Sequence, residues 1–115
     1  MQTPVQISSR GVDLTPDQMA LIRKAVADLD RFFDGLVSCH VTVSTPNKRP
    51  TGGPMTWTFR LGLKVPGGVL AVSRRARPNF RLALDDAFEA ARRQLQDYTR
   101  ELRGNTKVHP GVSLG

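Results

Sequence analysis

The sequence of 115 residues predicts one α+β domain, in which two helices pack on one face of a four-stranded sheet. Two segments repeat apolar residues every three or four positions, as helices with one buried side do. Four shorter segments alternate apolar and polar residues, as strands with one buried face do. Their order along the chain is β-α-β-β-β-α, and the length allows a single hydrophobic core.

The first strand and the first helix occupy the start of the chain. Val5 and Ile7 alternate with polar residues and predict a strand. Thr15 is expected to cap the helix that follows, and Gln18 stands where a capping box needs it. Gly35 is expected to end this helix. Its apolar stripe consists of Met19, Ile22, Val26, Leu29 and Phe33.

Three further strands are predicted in the middle of the chain. Residues 37–44 and 55–65 alternate and are joined by a polar loop at 45–54. A tight turn at 66–68 leads to the last strand at 69–73. The polar positions of the second and third strands are expected to form an open sheet face, and they are Ser38, His40, Thr42, Thr56, Thr58, Arg60 and Lys64.

The second helix is predicted to begin after Asn79, which can cap it. Its apolar stripe consists of Phe80, Leu84, Ala87, Phe88, Ala91, Leu95, Tyr98 and Leu102. Gly104 is expected to end the helix. We therefore predict a domain of residues 1–104, followed by a flexible tail of residues 105–115.

The excess of positive charge lies in the middle of the chain. The net charge is +7, and residues 36–79 carry seven basic residues and no acidic one. Residues 1–35 have a net charge of −1 and residues 80–115 of +1. Strands use few acidic residues, which would explain the missing acids but not the cations. The pattern favours a polyanionic partner such as nucleic acid.

Arginines supply the candidate binding residues. Arg74, Arg75 and Arg77 follow the fourth strand, with no acidic residue close in sequence to pair with. Guanidinium groups bind phosphates in bidentate fashion, and such contacts position a polyanion without reading its sequence. The predicted RNA-binding residues are Arg74, Arg75, Arg77, Arg81, Arg92, Arg93, Arg100, Arg23 and Lys24.

The sequence favours recognition of folded RNA by its backbone and shape. Trp57 and Phe59 fall on the core side of their strand, so they are not expected to stack on bases. Because the candidate arginines lie at the rim of the sheet and on the helices, we expect these parts of the domain to face the RNA. Arg60 and Lys64 keep the open sheet face as an alternative.

No catalytic residues, metal site or cofactor are predicted. Cys39 and His40 are adjacent in a strand, so their side chains point to opposite faces, and Cys39 is expected in the core. Asp85, Asp86 and Glu89 lie early in a helix, where acidic residues favour the helix dipole, and Glu89 can pair with a nearby arginine. The sequence shows no membrane span and no secretory signal, and a cytoplasmic location fits these features.

Several segments together resemble the ribosome hibernation-promoting factors and ribosome-associated translation inhibitors. They are the opening "QISSRGVDLTPDQMALIRKAVADLDRFF", the strand "GGVLAVS" and the helix "LALDDAFEAARRQL", and the resemblance covers residues 2 to 103. The connector "RPNFRL" departs from the acid and aromatic that usually stand there in the family. The chain also ends before the dimerisation domain of the family's long forms, so we expect the short form.

The resemblance implies a fold like that of a double-stranded RNA-binding domain. It implies binding to 16S-type rRNA of the small ribosomal subunit, where the protein would block the mRNA and tRNA sites during hibernation or stress. No membrane, small-molecule substrate or cofactor is expected, and the protein is expected to be a monomer off the ribosome. Two alternatives remain open: a general binder of structured RNA, and a protein–protein adaptor that uses the open sheet face.

Overall fold

The computed structural model describes residues 4–45 and 56–108, with side chains described through residue 102. The elements follow the predicted order β-α-β-β-β-α, which is confirmed. They are β1 (Val5–Arg10), α1 (Pro16–Phe32), β2 (Ser38–Ser44), β3 (Thr58–Val65), β4 (Gly68–Ser73) and α2 (Phe80–Val108). Most of the predicted loop at 45–54 lies outside the described residues.

The four strands form one mixed sheet in the order β1-β2-β3-β4. β1 runs parallel to β2, whereas the other two pairs are antiparallel. A parallel pair needs a crossover connection, and α1 provides it. One row of paired residues crosses the sheet on its buried face, namely Ile7, Val41, Leu61 and Val72.

Both helices pack on the same face of the sheet, as predicted. α1 contacts β1, α2 contacts β3 and β4, and the two helices contact each other. The largest fully buried side chains are Phe59, Ile22, Leu63, Leu95, Val26, Val41, Val43 and Thr45. Alternation thus gives each strand one buried face, and no helix or strand among the described residues covers the other face of the sheet. Val37 precedes β2 and is 46 % exposed, so the predicted buried face of that strand begins at Cys39.

The capping box predicted for α1 is confirmed. The Thr15 hydroxyl accepts the N–H of Gln18 at 3.1 Å, and the Thr15 N–H donates to the Gln18 side chain at 3.0 Å. The prediction that Gly35 ends this helix is wrong, because α1 ends at Phe32. Phe33 already has extended backbone angles, and its ring contacts the ring of Tyr98 edge-on.

Asn79 caps α2 as predicted, because its side-chain oxygen accepts the N–H of Leu82 at 2.8 Å. The prediction that Gly104 ends the helix is wrong, since α2 continues to Val108. A glycine inside a helix costs only about 1 kcal/mol relative to alanine, which does not by itself stop a helix. Residues 105–108 of the predicted tail are therefore helical, and residues 109–115 lie outside the described residues. Neither helix in the described part of the chain is long and apolar enough to cross a membrane.

α2 runs antiparallel to β4 and is joined to that strand and its flanking turn by side-chain hydrogen bonds. The amide of Gln94 donates to the carbonyl of Ala71 at 3.1 Å, and the N–H of Gly67 donates to the Tyr98 hydroxyl at 3.2 Å. A Cβ at Gly67 would lie 2.7 Å from that hydroxyl, so a larger residue here would require the end of the Tyr98 side chain to shift. These bonds join the middle of α2 to β4 and to the turn before it.

Candidate nucleic-acid interface

The connector between β4 and α2 contains a β-bulge. Arg60 pairs with Ser73, and the next pair joins Trp57 to Arg77 by two backbone hydrogen bonds of 2.8 and 2.9 Å. Two residues separate the paired positions on the β3 side, and three separate them on the connector side. The extra residue disrupts the regular alternation of side chains along the connector.

The bulge places Arg74 and Arg77 on the same, helix-bearing side of the sheet. In a regular strand, residues three apart point to opposite faces. Here Arg74 contacts the carboxylate of Asp86 through Nε at 3.2 Å and Nη2 at 3.3 Å. Arg77 reaches the same carboxylate through Nη2 at 3.5 Å. Asp86 therefore gathers two of the predicted arginines at the start of α2.

These ion pairs correct one expectation from the sequence. The prediction that the connector arginines have no acidic partner is wrong for Arg74 and Arg77, because tertiary packing brings them to Asp86. The local sequence cannot show a partner that lies on the following helix. Arg75 is exposed and makes no ion pair with any other residue that the structure describes.

The environment of Asp86 keeps its carboxylate charged. Hydrogen bonds from Arg74, together with the positive charges of Arg74 and Arg77, lower the pKa of Asp86 and outweigh the opposite effect of burial. The Asp86 side chain is 16 % exposed, whereas Arg74 is 43 % exposed. The two arginines are thus anchored at one end and still reach solvent.

Two further predicted arginines lie on the same side of α2 as Asp86. Arg93 and Arg100 follow Asp86 at intervals of seven residues, which return to one side of a helix after about 10 Å of rise. Arg93 is exposed and unpaired within the described residues. Arg100 contacts Asp97 at 3.8 Å in an exposed pair of the kind that contributes little. We call Arg74, Arg77, Arg93 and Arg100 the arginine row.

Arg81 and Arg92 are not part of this row. Arg81 pairs with Asp85 at 3.3 Å, and the guanidinium of Arg92 lies 4.7 Å from the centre of the Phe32 ring. Arg92 lines a groove of about 860 Å³ between the two helices. The charged residues of this groove are Asp28, Asp85, Asp86, Glu89, Arg31, Arg77 and Arg92. Four carboxylates among three arginines make the groove a poor site for phosphate.

Arg23 and Lys24 are exposed on α1, as predicted, but Arg23 lies far from the arginine row. Arg23 lines a hollow with Pro4 and Val5, at the β1 edge of the sheet. β1 and β4 are opposite edges, separated by three strand spacings or about 14 Å. The structure therefore brings together only part of the predicted set.

Sequence reasoning missed two charged residues. From its sequence position Asp86 is expected only to favour the helix dipole, and tertiary contacts show that it anchors the arginines. Arg10 lies on the open sheet face, because the register aligns it with Ser44. The alternation of apolar and polar residues in β1 could have predicted this position of Arg10 from the sequence. Thr56 precedes β3, and its hydroxyl oxygen is buried, so it offers no exposed hydroxyl to the open face.

The other polar candidates keep the predicted positions. Cys39 is buried in the core, and burial raises the pKa of its thiol to about 11. His40 is exposed on the open face, 3.1 Å from the hydroxyl of Ser8. Within the described residues, no ion pair joins Glu89 to Arg92 or Arg93, although the sequence allowed one. The described part of the chain also holds no group of three or more His, Cys, Asp or Glu side chains suited to a metal ion.

The fold and the arginine row define a small basic α+β domain with two helices on one face of a four-stranded mixed sheet. A sequence model of the family described as Sigma 54 modulation protein / S30EA ribosomal protein matches residues 5–103. The chain therefore belongs to this family, which confirms the family inferred from the sequence. No curated protein sequence matches the chain.

Two solved structures share the fold. The N-terminal domain of Protein Y from Thermus thermophilus is 21 % identical, with a TM-score of 0.68, and the match covers 84 % of this chain and 99 % of that one. A ribosomal subunit interface protein from Coxiella burnetii is 18 % identical, with a TM-score of 0.68, and the match covers 85 % of this chain and 99 % of that one. At these identities the likeness establishes the fold alone.

Proposed function

We propose that this protein binds the small ribosomal subunit through rRNA phosphates and blocks the mRNA and tRNA sites. Translation would be inhibited by occlusion during hibernation or stress, without any chemical step. The observation that carries the proposal is the arginine row, in which Asp86, with Arg74 and Arg77 on its carboxylate, is followed along α2 by Arg93 and Arg100 at intervals of about 10 Å of helix rise. Arginines spaced along a rigid helix suit repeated contacts with a phosphate backbone.

Family membership and the names of similar proteins support a ribosomal partner. The family description names a ribosomal protein, and one similar structure is that of a ribosomal subunit interface protein. A ribosomal partner implies action in the cytoplasm, and we propose that the protein is a monomer when it is off the ribosome. The arginine contacts would hold the domain at the mRNA and tRNA sites of the small subunit, and the volume of the folded domain would exclude mRNA and tRNA.

Charge reversal of unpaired arginines tests the proposal. Arg75→Glu and Arg93→Glu together are expected to weaken binding to purified small subunits at least tenfold, about 1.4 kcal/mol. Both residues are exposed and unpaired within the described chain, so the unfolding temperature is expected to change little. Arg74→Glu is a less suitable variant, because the new carboxylate would face Asp86, whose side chain is only 16 % exposed, and the repulsion would be poorly screened.

Arg31→Glu serves as the matched control for each single reversal. Arg31 is exposed on α1, contacts Asp28 and lies outside the arginine row. Binding is measured by co-sedimentation with small subunits, and folding by thermal unfolding. If Arg93→Glu and Arg31→Glu weakened binding equally, net charge and not the arginine row would be responsible.

Sedimentation of a lysate through sucrose separates the proposal from its alternatives. Co-migration with 30S or 70S particles is the expected result. Equal retention on any RNA duplex would instead indicate a general binder of structured RNA. Association that survives nuclease and high salt would indicate a protein–protein adaptor.

A further inference from the structure

We propose that the open face of the sheet is a second phosphate-binding surface, so that the domain contacts RNA on two opposite sides. The inference rests on the proposed function and adds a partner surface that the arginine row does not include. The open face consists of Gln6, Ser8, Arg10, Ser38, His40, Thr42, Ser44, Thr58, Arg60, Gly62, Lys64, Val69, Ala71 and Ser73, as the strand register places them.

The charge of the open face has one sign. None of the four strands contains an aspartate or glutamate. Arg10, Arg60 and Lys64 are exposed there and make no ion pair with other described residues. On the helix-bearing side, by contrast, Arg31, Arg74, Arg77, Arg81 and Arg100 each contact a carboxylate. A phosphate that binds the open face therefore competes with fewer carboxylates for the cations than one that binds the helix-bearing side.

The cations of the open face are spaced widely enough to contact successive parts of an RNA backbone. Arg60 and Lys64 lie four residues apart on β3, or about 13 Å along the strand. Arg60 borders a shallow hollow of about 280 Å³. The hollow forms around Gly62, and its polar border includes His40, Thr42 and Ser73. Because Gly62 has no side chain, a phosphate group can approach the backbone between Arg60 and His40.

The chemistry of the face fits RNA better than a protein partner. Six serine and threonine hydroxyls accompany the cations, and both kinds of group commonly contact phosphate oxygens. Protein interfaces instead depend on buried aromatic or aliphatic anchors. Val69, 66 % exposed, is the one large apolar side chain among the residues of this face. The face carries no Phe, Trp or Tyr for stacking on bases, so contact through the RNA backbone is expected.

The two surfaces face opposite sides of the sheet, since both helices pack on the side away from the open face. A straight RNA helix can therefore contact only one of them at a time. Simultaneous contact needs RNA on both sides of the domain. Such a site exists only in a folded RNA, which distinguishes this mode from binding to an isolated duplex.

Tethered cleavage of rRNA tests whether both faces meet RNA. Cys39 is the one cysteine and is buried, with a thiol pKa of about 11, so it is expected to resist labelling in the folded protein. Ala71→Cys on the open face and Gln96→Cys on α2 each provide one exposed attachment point. An iron chelate that generates hydroxyl radicals is attached, and rRNA strand breaks are mapped in the complex with small subunits. Cleavage of two different rRNA segments is the expected result.

The outcomes separate this inference from the proposed function. Cleavage from Gln96→Cys but not from Ala71→Cys would overturn the second surface and leave the proposed function standing. Damage to ribosomal proteins alone from Ala71→Cys would show that the open face meets a protein, which also overturns the inference. Failure of both labelled proteins and the unlabelled protein to sediment with subunits would overturn the proposed function itself.

Charge reversal on the open face provides an independent measurement. Arg60→Glu is expected to weaken binding to small subunits at least fivefold, whereas the control Arg31→Glu changes it less than twofold. The combined variant Arg60→Glu and Arg93→Glu is expected to show the product of the two losses, because separate surfaces act independently. Unchanged binding for Arg60→Glu, with a folded protein, would contradict the second surface.

Discussion

At the scale of single residues, Asp86 decides the geometry of the connector. It holds Arg74 through two hydrogen bonds and Arg77 through one contact. The Nε atom of Arg77 is buried and has no hydrogen-bond partner among the described residues, so Asp86 and packing alone fix this side chain. Loss of the carboxylate would leave a partly buried guanidinium without its counter-charge, which is destabilising.

Asp86→Asn is expected to lower the free energy of unfolding at pH 7 by about 1 kcal/mol, since the arginines are partly exposed and screened. The folded protein lowers the pKa of Asp86, so its contribution is fully present above the unfolded value of about 3.9. That contribution is lost as the pH falls through the lower pKa of the folded state. Thermal unfolding of both proteins between pH 7 and pH 2 measures it. A difference that stayed constant down to pH 2 would show that Asp86 acts without its charge.

At the scale of elements, the start of α2 depends on its cap. Asn79→Ala is expected to cost about 1 kcal/mol of stability, because it removes the side-chain acceptor for the Leu82 N–H. Asn79→Asp is expected to restore most of the loss, since aspartate caps helices about as well. Urea unfolding of the three proteins measures the effect. Equal midpoints for the alanine and asparagine proteins would mean that the cap does not stabilise α2.

The elements themselves could be predicted from the sequence because their signals are local. Thr15 and Gln18 are three residues apart, and the alternation in β2 and β3 needs no knowledge of partners. The bulge after Ser73 could not be predicted, because it depends on the register between β3 and the connector. The end of α2 was also missed, since one glycine lowers helix propensity by only about 1 kcal/mol and α2 continues past Gly104.

At the scale of the whole molecule, the fold sorts charge between two sides of a sheet. The sequence located the cations in an acid-free middle segment, but it could not say which side each one takes. Arg60 and Arg74 both belong to that segment, yet they lie on opposite faces, because Arg60 pairs with Ser73 and Arg74 is the next residue along the chain. Arg23 and Arg74 were predicted in one site, and the strand order separates them across the sheet.

Cations on both sides of the sheet predict that the affinity for small subunits depends steeply on salt concentration. Each neutralised phosphate contributes roughly 0.7 to 0.9 to the slope of log affinity against log salt concentration. Affinity for small subunits is expected to fall by several orders of magnitude between low and moderate salt, and Arg93→Glu is expected to reduce the slope by about one. Co-sedimentation at a series of salt concentrations measures both. A flat dependence would exclude binding dominated by phosphates.

The hydrogen bond from Gln94 to the carbonyl of Ala71 also bears on aggregation. β4 is an edge strand, and unpaired backbone groups at an edge invite another chain to add a strand. A chain that approached β4 would have to displace the Gln94 amide before it could pair with Ala71. α2, which contains Arg93 and Arg100 of the arginine row, thus also disfavours self-association through the β4 edge.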